Sequence, residues 1–291
     1  MQKLADFVVS DEEIITSDKI NNFCRMINNK YKVFNLHYVK TDFLKYKNPF
    51  SSKIYQQDWR GYNNVIDLNE LSVIVTGHSD YDINETYSLI NSPQLRVWFC
   101  QNMNVIHPKC VAVPIGITNK DEPTVPVCKI IGDTGRIVNA RRQKKNIRNL
   151  AYLNVNVSTY PRERSKIIDL YKDQKWVTYV NPKQTSALTP KDHEYFLENI
   201  RHHKFCFAPR GNGIDTHRLW ESLYLGTIPI VKRCTAMSQF EDLPILFVDD
   251  WDNITPEWLE EKYDEIIKKE YPLYKLNVSY WNMRIFEAIK N

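Results

Sequence analysis

One stretch of the sequence combines a glycine turn with charged side chains in an order suited to binding phosphate. The apolar run Phe205-Cys206-Phe207 predicts a strand, and Gly211 and Gly213 follow it before a predicted helix over about 215–225. Glycines let the backbone approach a phosphate closely, and a helix N-terminus at Gly213 would present free N–H groups to an anion. The segment therefore predicts an anion-binding turn.

The predicted helix carries three charged residues at a spacing that brings them together. Asp215, Arg218 and Glu221 follow one another at intervals of three residues, so they share roughly one side of a helix. An arginine can hold a diphosphate through paired charged hydrogen bonds, and a glutamate one turn further on can accept both hydroxyls of a ribose. This order suits a nucleotide diphosphate, although an ordinary ladder of surface ion pairs would have the same spacing.

The first half of the chain has fewer clear elements. Ser10 and Glu13 form a capping-box pattern, which predicts a helix from there toward Asn29. Short apolar runs predict buried strands near 73–75, 96–99 and 111–113. The polar segment 76–82 follows the first of these strands, and its side chains are candidates for chemistry.

A basic run lies in a part of the chain that has no predicted element before about position 149. Its members are Arg136, Arg141, Arg142, Lys144, Lys145 and Arg148. We interpret the run as the solvated face of an interdomain linker, with contact to a nucleic acid, a membrane surface or an anionic ligand as the alternatives.

The second half alternates between strands and helices. Strands are predicted near 150–155, 176–180, 205–207, 228–231 and 245–248. Helices are predicted near 162–172, 192–202 and 215–225, and from about 255 onward. This alternation predicts an α/β fold with a parallel sheet covered by helices, and such sheets bind ligands beyond the carboxyl ends of their strands.

Composition narrows the class of protein. The 291 residues favour two domains, and 43% hydrophobic with 25% charged residues is typical of a globular protein. A net charge of +4 is too small for a polybasic nucleic-acid binder. The N-terminus lacks a signal peptide, no apolar run is long enough to span a membrane, and the six cysteines form no C-x-x-C pair. We therefore expect a soluble, cytoplasmic protein without stable membrane insertion.

The stretch from Phe205 to Ile230 resembles the donor-binding segment of exostosin-like glycosyltransferases of the GT-B fold. That segment has a proline, a glycine-rich turn, an arginine, a glutamate three residues on and a Gly-x-Ile-Pro strand. Its counterparts here are Pro209, Gly211–Gly213, Arg218, Glu221 and Gly226–Pro229. The small size and the Asn/Lys/Ile-rich composition resemble exostosin-like enzymes of large algal viruses, including chlorovirus xylosyltransferase-like enzymes.

The resemblance implies two Rossmann-like domains facing a cleft. Residues 1–143 would bind the acceptor, residues 144–272 would bind the nucleotide sugar, and a C-terminal helix over 273–291 would pack back on the first domain. Asn156 with Arg162 and Arg164 resembles the family's first turn of the second domain, where an arginine also faces the donor phosphates. The implied donor-binding residues are Asn156, Arg164, Arg210, Gly211, Asn212, Gly213, Asp215, Arg218 and Glu221.

The reaction implied by the resemblance is transfer of a sugar from a nucleotide diphosphate sugar to a glycan hydroxyl. Inverting transfer needs a base from the first domain, for which Asp80 is the first candidate and His78 the second. Asp80 capping a turn is the alternative. UDP-xylose is the donor we expect, so the enzyme would be a pentosyl- or hexosyltransferase of glycan biosynthesis, in the host cytoplasm if it is viral.

Two D-x-D triplets, Asp80-Tyr81-Asp82 and Asp250-Trp251-Asp252, have the form of the metal-binding motif of GT-A transferases. Because arginines in the donor segment make a metal redundant, we expect a metal-independent enzyme with no cofactor and no nucleic-acid partner. A metal-dependent GT-A transferase and a non-catalytic sugar- or nucleic-acid-binding module remain the alternatives. The early G-x-G-x-x-G pattern of a dinucleotide-binding dehydrogenase does not occur.

Overall fold

The computed structural model contains two parallel β-sheets with helices packed around them. It describes residues 1–28, 33–37, 53–57, 63–67, 72–77, 80–86, 88–120, 125–183 and 187–290.

The first half of the chain contains six strands, four of which form the smaller of the two parallel sheets. Its strands are β1 (Val33–His37), β2 (Lys53–Gln57), β3 (Asn63–Asp67), β4 (Ser72–Gly77), β5 (Leu95–Cys100) and β6 (Cys110–Ala112). Four of them run parallel in the order β1-β4-β5-β6, while β2 and β3 form a separate antiparallel pair. The β-branched residues Val73, Ile74 and Val75 are buried, as expected for a parallel strand covered on both faces.

The second half forms a five-stranded parallel sheet. Its strands are β7 (Asn149–Leu153), β8 (Val177–Tyr179), β9 (His203–Phe207), β10 (Ile228–Lys232) and β11 (Leu246–Val248). The spatial order is β11-β10-β9-β7-β8, so the chain turns one way after β7 and the other way after β9. This reversal opens a crevice at the carboxyl ends of β7 and β9, where doubly wound sheets bind ligands.

Helices connect the strands and close the chain. They are α1 (Ser17–Asn28), α2 (Cys128–Ile131), α3 (Thr134–Arg142), α4 (Pro161–Tyr171), α5 (Pro190–Arg201), α6 (His217–Tyr224), α7 (Thr235–Ser238), α8 (Pro256–Lys268) and α9 (Val278–Lys290). The last helix, α9, packs against α1, β4 and β5 of the first half. In the part of the chain that the structure describes, every helix is too short or too polar to cross a bilayer.

The predicted α/β class with parallel sheets is confirmed. Each strand predicted in the second half occurs near its expected position, and so do the three strands predicted in the first half. The helices α2 and α3 lie in the segment that was predicted to have no element before about position 149, and α7 and the strands β1, β2 and β3 are also absent from the predictions. The boundary between 143 and 144 stays a prediction.

The helix expected to run from Ser10 toward Asn29 is present as α1, but its predicted start is wrong, since α1 begins at Ser17. Residues 11–13 form a turn, and Glu13 uses its side chain to accept a hydrogen bond from Ser279 N at 3.1 Å. Ile15 then donates through its backbone N to the Tyr224 hydroxyl at 2.9 Å. The segment before α1 is held by these distant partners, so the capping-box pattern does not start a helix there.

The interpretation of the basic run as the solvated face of a linker is wrong for three of its six members, because Arg136, Arg141 and Lys145 contact the protein. Arg141 donates to the carbonyls of Leu4 and Phe7 at 2.8 and 3.0 Å. Lys145 donates to the Gly226 carbonyl at 2.6 Å, and Arg136 pairs with Glu194 at 2.7 Å. The other three members, Arg142, Lys144 and Arg148, are exposed.

The first residue of β9, His203, is a buried histidine with partners on both ring nitrogens. Its Nδ1 lies 2.5 Å from the Asn199 carbonyl, and its Nε2 lies 2.7 Å from Thr178 Oγ1. A carbonyl only accepts, so Nδ1 carries the proton and Nε2 accepts from the threonine hydroxyl. Burial lowers the pKa of His203 to about 4.

Acid should therefore destabilise the protein through His203. Between pH 6.5 and about 4 the unfolded chain binds a proton at this histidine that the folded chain does not, so the free energy of unfolding falls as the pH drops. The full loss at this residue is about 3 kcal/mol. We expect His203→Gln to lower the melting temperature at pH 7 and to flatten its dependence on pH below 6.5. An unchanged pH dependence would contradict this assignment.

Candidate functional site

A cavity of about 490 Å³ lies at the carboxyl ends of both sheets. Its wall contains residues that follow β4, β6, β7, β8 and β9, namely Asp80, Ile115, Asn154, Val180 and Gly211. The two parallel sheets thus contribute to one ligand-sized space. The GT-B arrangement of two Rossmann-like units facing a cleft is confirmed at this level of architecture.

The glycine turn after β9 is held in place by its own backbone and by Arg164 of α4. Gly211 N donates to the Gly213 carbonyl at 3.0 Å. Arg164 Nε donates to the Arg210 carbonyl at 2.8 Å, and Nη2 donates to the Pro209 carbonyl at 3.2 Å. A Cβ on Gly211 would lie 3.1 Å from Arg164 Nη2, so a larger residue there would require the guanidinium to shift by a few tenths of an ångström.

Arg164 has a third backbone partner in Asn156, whose carbonyl accepts from Nη1 at 2.9 Å. The Asn156 side chain caps a short 3-10 helix by accepting from Ser158 N at 3.1 Å, and it lies outside the cavity wall. Burial and the nearby charge of Arg218 lower the pKa of Arg164 to about 10, so it stays protonated at neutral pH. Asn156 therefore acts on the site by positioning Arg164.

Arg218 of α6 is almost enclosed by protein, with its guanidinium at the carboxyl end of β7. Its Nη1 donates to the Asn154 carbonyl at 2.5 Å and its Nη2 to Asn154 Oδ1 at 3.3 Å. The guanidinium lies 4.4 Å from the centroid of the Phe196 ring, a cation–π contact. Glu221 Oε2 lies 3.4 Å from Arg218 Nε. These contacts hold a cation and a carboxylate side by side in the cavity wall.

Arg210 and Asn212 occupy the outer side of the glycine turn. The Arg210 guanidinium lies 4.4 Å from the Tyr160 ring centroid, and Nη2 donates to the Asn212 carbonyl at 3.3 Å. Arg210 lies outside the cavity wall, whereas the exposed Asn212 belongs to it. Of the predicted donor residues, the structure therefore brings Arg164, Arg218 and Glu221 to the wall with the glycine turn, but not Arg210.

Asp215 has a different position from the one its spacing predicted. Thr216 is the N-cap of α6, so Asp215 precedes the helix and does not share a face with Arg218, and Gly213 lies too far before the helix to be its N-terminus. The Asp215 carboxylate is buried and accepts from Trp220 Nε1 at 2.7 Å and from Ile115 N at 2.8 Å. Burial raises its pKa to about 7, against the effect of both donors.

The backbone of Asp215 continues the same link to the first half. Asp215 N donates to Asn102 Oδ1 at 2.8 Å, and Asn102 follows β5. Ile115, which donates to the carboxylate, follows β6. Because both carboxylate oxygens already have protein donors, the geometry assigns Asp215 to joining the two halves of the wall.

Asp80 is exposed and belongs to the cavity wall on the side of the first sheet. His78, the second candidate base, lies outside the described residues. Asp82, at the end of the same D-x-D triplet, accepts from the side-chain amides of Asn84 and Asn104, both at 3.4 Å. Asp80 therefore belongs to the same wall as Arg164 and Arg218, and its role as the base stays a prediction.

The second D-x-D triplet is engaged elsewhere. Asp250 Oδ1 and Asp252 Oδ2 lie 3.2 and 2.5 Å from Lys166 Nζ, outside the cavity wall. Across the described ranges, no group of three or more His, Cys, Asp or Glu side chains is arranged to hold a metal ion. Activity without a metal stays a prediction.

The wall also contains residues that the sequence analysis did not single out. They include Tyr152 and Asn154 around the end of β7, Lys183 after β8, and His193 and Phe196 of α5. Two signals were present in the sequence. Asn154 comes directly after a predicted strand, and His193 and Phe196 are three residues apart on one predicted helix.

Comparisons with known proteins say little about this site. No protein-family model matches the chain, and no curated protein matches it. A crystal structure of an alpha1,3-fucosyltransferase aligns with a TM-score of 0.36 and 12% sequence identity, covering 77% of this chain and 80% of that chain.

The link through Asp215 can be tested by Asp215→Asn. The variant keeps the shape but turns one acceptor oxygen into an amide group that faces an N–H donor, so we expect a loss of about 1–3 kcal/mol and a lower melting temperature. Asp249→Asn is the matched control, because that side chain is 93% exposed. Equal melting temperatures for the two variants would contradict the proposed link.

Proposed function

We propose that this protein is a glycosyltransferase, which moves a sugar from a nucleoside diphosphate sugar to the hydroxyl of a glycan. The observation that carries the proposal is the shared cavity at the carboxyl ends of two parallel sheets. Arginines and a glycine turn from the second half of the chain and the exposed carboxylate of Asp80 from the first half contribute to its wall. This arrangement suits a reaction in which one half of the wall binds an anionic leaving group and the other offers a base to an acceptor hydroxyl.

The donor half of the proposal depends on Arg218, Arg164 and the turn at Gly211–Gly213. In the proposed complex, Arg218 and the turn bind the diphosphate, and the Arg164 charge lies directly behind the turn. Glu221, beside Arg218, accepts hydrogen bonds from the ribose hydroxyls. As the bond between sugar and phosphate breaks, charge grows on the diphosphate, so these cations stabilise the transition state more than the ground state.

The acceptor half of the proposal assigns Asp80 as the general base. A carboxylate at a strand end of the first sheet can take the proton of an acceptor hydroxyl as that oxygen attacks the anomeric carbon. Attack from the side opposite the diphosphate inverts the anomeric configuration. We therefore propose an inverting enzyme that needs no divalent metal.

The finer identity rests on the resemblance of the stretch from Pro209 to Pro229 to exostosin-like enzymes. On that basis we propose UDP as the nucleotide and xylose as the sugar, with a viral enzyme of glycan biosynthesis as the nearest kind. The assignment as a pentosyltransferase and the location in the host cytoplasm belong to the same proposal.

The structure weakens both alternatives. A nucleic-acid-binding module would use the basic run, but Arg136, Arg141 and Lys145 have partners within the chain. A metal-dependent GT-A transferase has one sheet and an acidic metal site, whereas this cavity borders two sheets, and Asp250 and Asp252 pair with Lys166.

Replacing Arg218 by alanine should weaken binding of the nucleoside diphosphate strongly. Loss of a charged fork removes hydrogen bonds of about 1.5–3 kcal/mol each, so we expect Kd measured by calorimetry to rise about 10- to 100-fold or more. Arg218→Lys keeps the charge but not the fork and should give an intermediate value. Arg233→Ala is the matched control, since that arginine lies outside the cavity wall and pairs with Glu241 and Asp249.

Equal affinity of Arg218→Ala and wild type would overturn the donor site. Because Arg218 packs on Phe196, each variant should first be shown to melt cooperatively. A folded Arg218→Ala protein with unchanged affinity leaves no place for the diphosphate at this arginine.

Replacing Asp80 by asparagine should abolish transfer but preserve donor affinity. A general base contributes about 10²–10⁴-fold, so turnover measured as nucleoside diphosphate released with acceptor present should fall by that factor. Calorimetry with the same nucleotide should give the wild-type Kd, because Asp80 faces the cavity from the first sheet. Unchanged turnover would remove Asp80 from the mechanism.

A further inference from the structure

One histidine in the cavity wall is buried without hydrogen-bond partners. His193, in the first turn of α5, is only 1% exposed, and within the described ranges neither its Nδ1 nor its Nε2 has a partner. Burial lowers the pKa of His193, so the ring is neutral and offers one donor and one acceptor. Native proteins seldom leave such groups unpaired, because each costs free energy.

The same chain contains a buried histidine for comparison. His203 has a relative exposure of 0%, yet both of its ring nitrogens have partners, the Asn199 carbonyl and Thr178 Oγ1. His203 lies outside the cavity wall, whereas His193 forms part of it. His203, which packs inside the protein, therefore has hydrogen-bond partners, whereas His193, which borders the cavity, has none within the described ranges.

The ring of His193 has an aromatic neighbour and lies near charged groups that include Glu221. It stacks against Phe196, with centroids 5.9 Å apart and planes at 17°, and Arg218 covers Phe196 at 4.4 Å. Val180, Pro182 and Leu188 add apolar side chains to the cavity wall. The wall thus combines cationic, aromatic and apolar side chains with a histidine whose ring nitrogens have no partner within the described ranges.

We propose that His193 hydrogen-bonds the nucleoside of the donor, beyond the diphosphate. The inference rests on the proposed function and adds the residue that reads the nucleoside. A nucleoside diphosphate combines anionic phosphates with a flat base that has polar edges. Val180, Pro182 and Leu188 offer the base an apolar surface, and His193 gives the polar edge a partner that the unliganded protein lacks.

The test uses His193→Phe, which keeps the ring against Phe196 and removes both nitrogens. We expect the unliganded variant to melt at or above the wild-type temperature, because an unpaired buried polar group has been replaced by an apolar one. Its Kd for the tightest-binding of UDP, GDP, CDP and ADP should rise about tenfold by calorimetry. Its Kd for inorganic pyrophosphate, measured by competition, should stay at the wild-type value.

Two further variants make the result specific. His193→Gln, which retains a donor and an acceptor, should recover part of the nucleotide affinity. His203→Phe should lower the melting temperature and leave nucleotide affinity unchanged, since it removes a histidine whose partners lie within the protein.

The outcomes separate this inference from the proposed function. If His193→Phe binds the nucleoside diphosphate as wild type does while Arg218→Ala binds it weakly, the inference is wrong and the donor site stands. If His193→Phe weakens pyrophosphate as much as the nucleotide, or lowers the melting temperature as His203→Phe does, then His193 has a structural role. If wild type binds no nucleoside diphosphate, both proposals fail.

Discussion

The shape of the cavity depends on the hydrogen bonds that the buried Asp215 carboxylate accepts. It accepts from Ile115 N in the first half of the chain and from Trp220 Nε1 of α6 in the second. Asp215 N adds a bond to Asn102 Oδ1, again across the two halves. Burying a carboxylate is costly unless donors surround it, and here the donors come from both sides. These hydrogen bonds fix where α6, which carries Arg218 and Glu221, lies relative to the first sheet.

The cavity wall brings two arginines close to the glycine turn, where the proposed diphosphate would bind. Arg218 and Arg164 lie close enough for each to affect the other, while Glu221 is the carboxylate paired with Arg218. Arg164 is held by three backbone carbonyls, which orient its charge without neutralising it. A diphosphate bound at the turn would lie beside these cations. His193 also belongs to the wall, and its ring nitrogens have no partner within the described ranges.

Much of the second sheet could be predicted from sequence because its signals are local. Each strand is a short apolar run, and the order of strand, glycine turn and helix around Gly211–Gly213 follows from neighbouring residues. Arg218 and Glu221 were predicted as neighbours for the same reason, since a spacing of three residues decides their contact within one helix.

The features that sequence reasoning missed depend on partners far along the chain. The spacing of Asp215 is the same whether the helix begins before or after it, and its partner Ile115 lies 100 residues away. Glu13 has the pattern of a capping box, but its partner is Ser279. The sequence pattern predicts a solvated Arg141, whereas in the fold Arg141 donates a hydrogen bond to the Leu4 carbonyl. Burial of polar groups is a property of tertiary packing, so spacing alone could not find it.

The central claim is that the cavity binds a nucleoside diphosphate, and a thermal-shift panel tests it most directly. Wild-type protein would be melted with saturating UDP, GDP and CMP and with their sugars, in the absence of metal. A ligand that binds only the folded state raises the melting temperature, so the account predicts a clear rise with one nucleotide family and its sugars. No rise with any nucleotide at saturating concentration would contradict it.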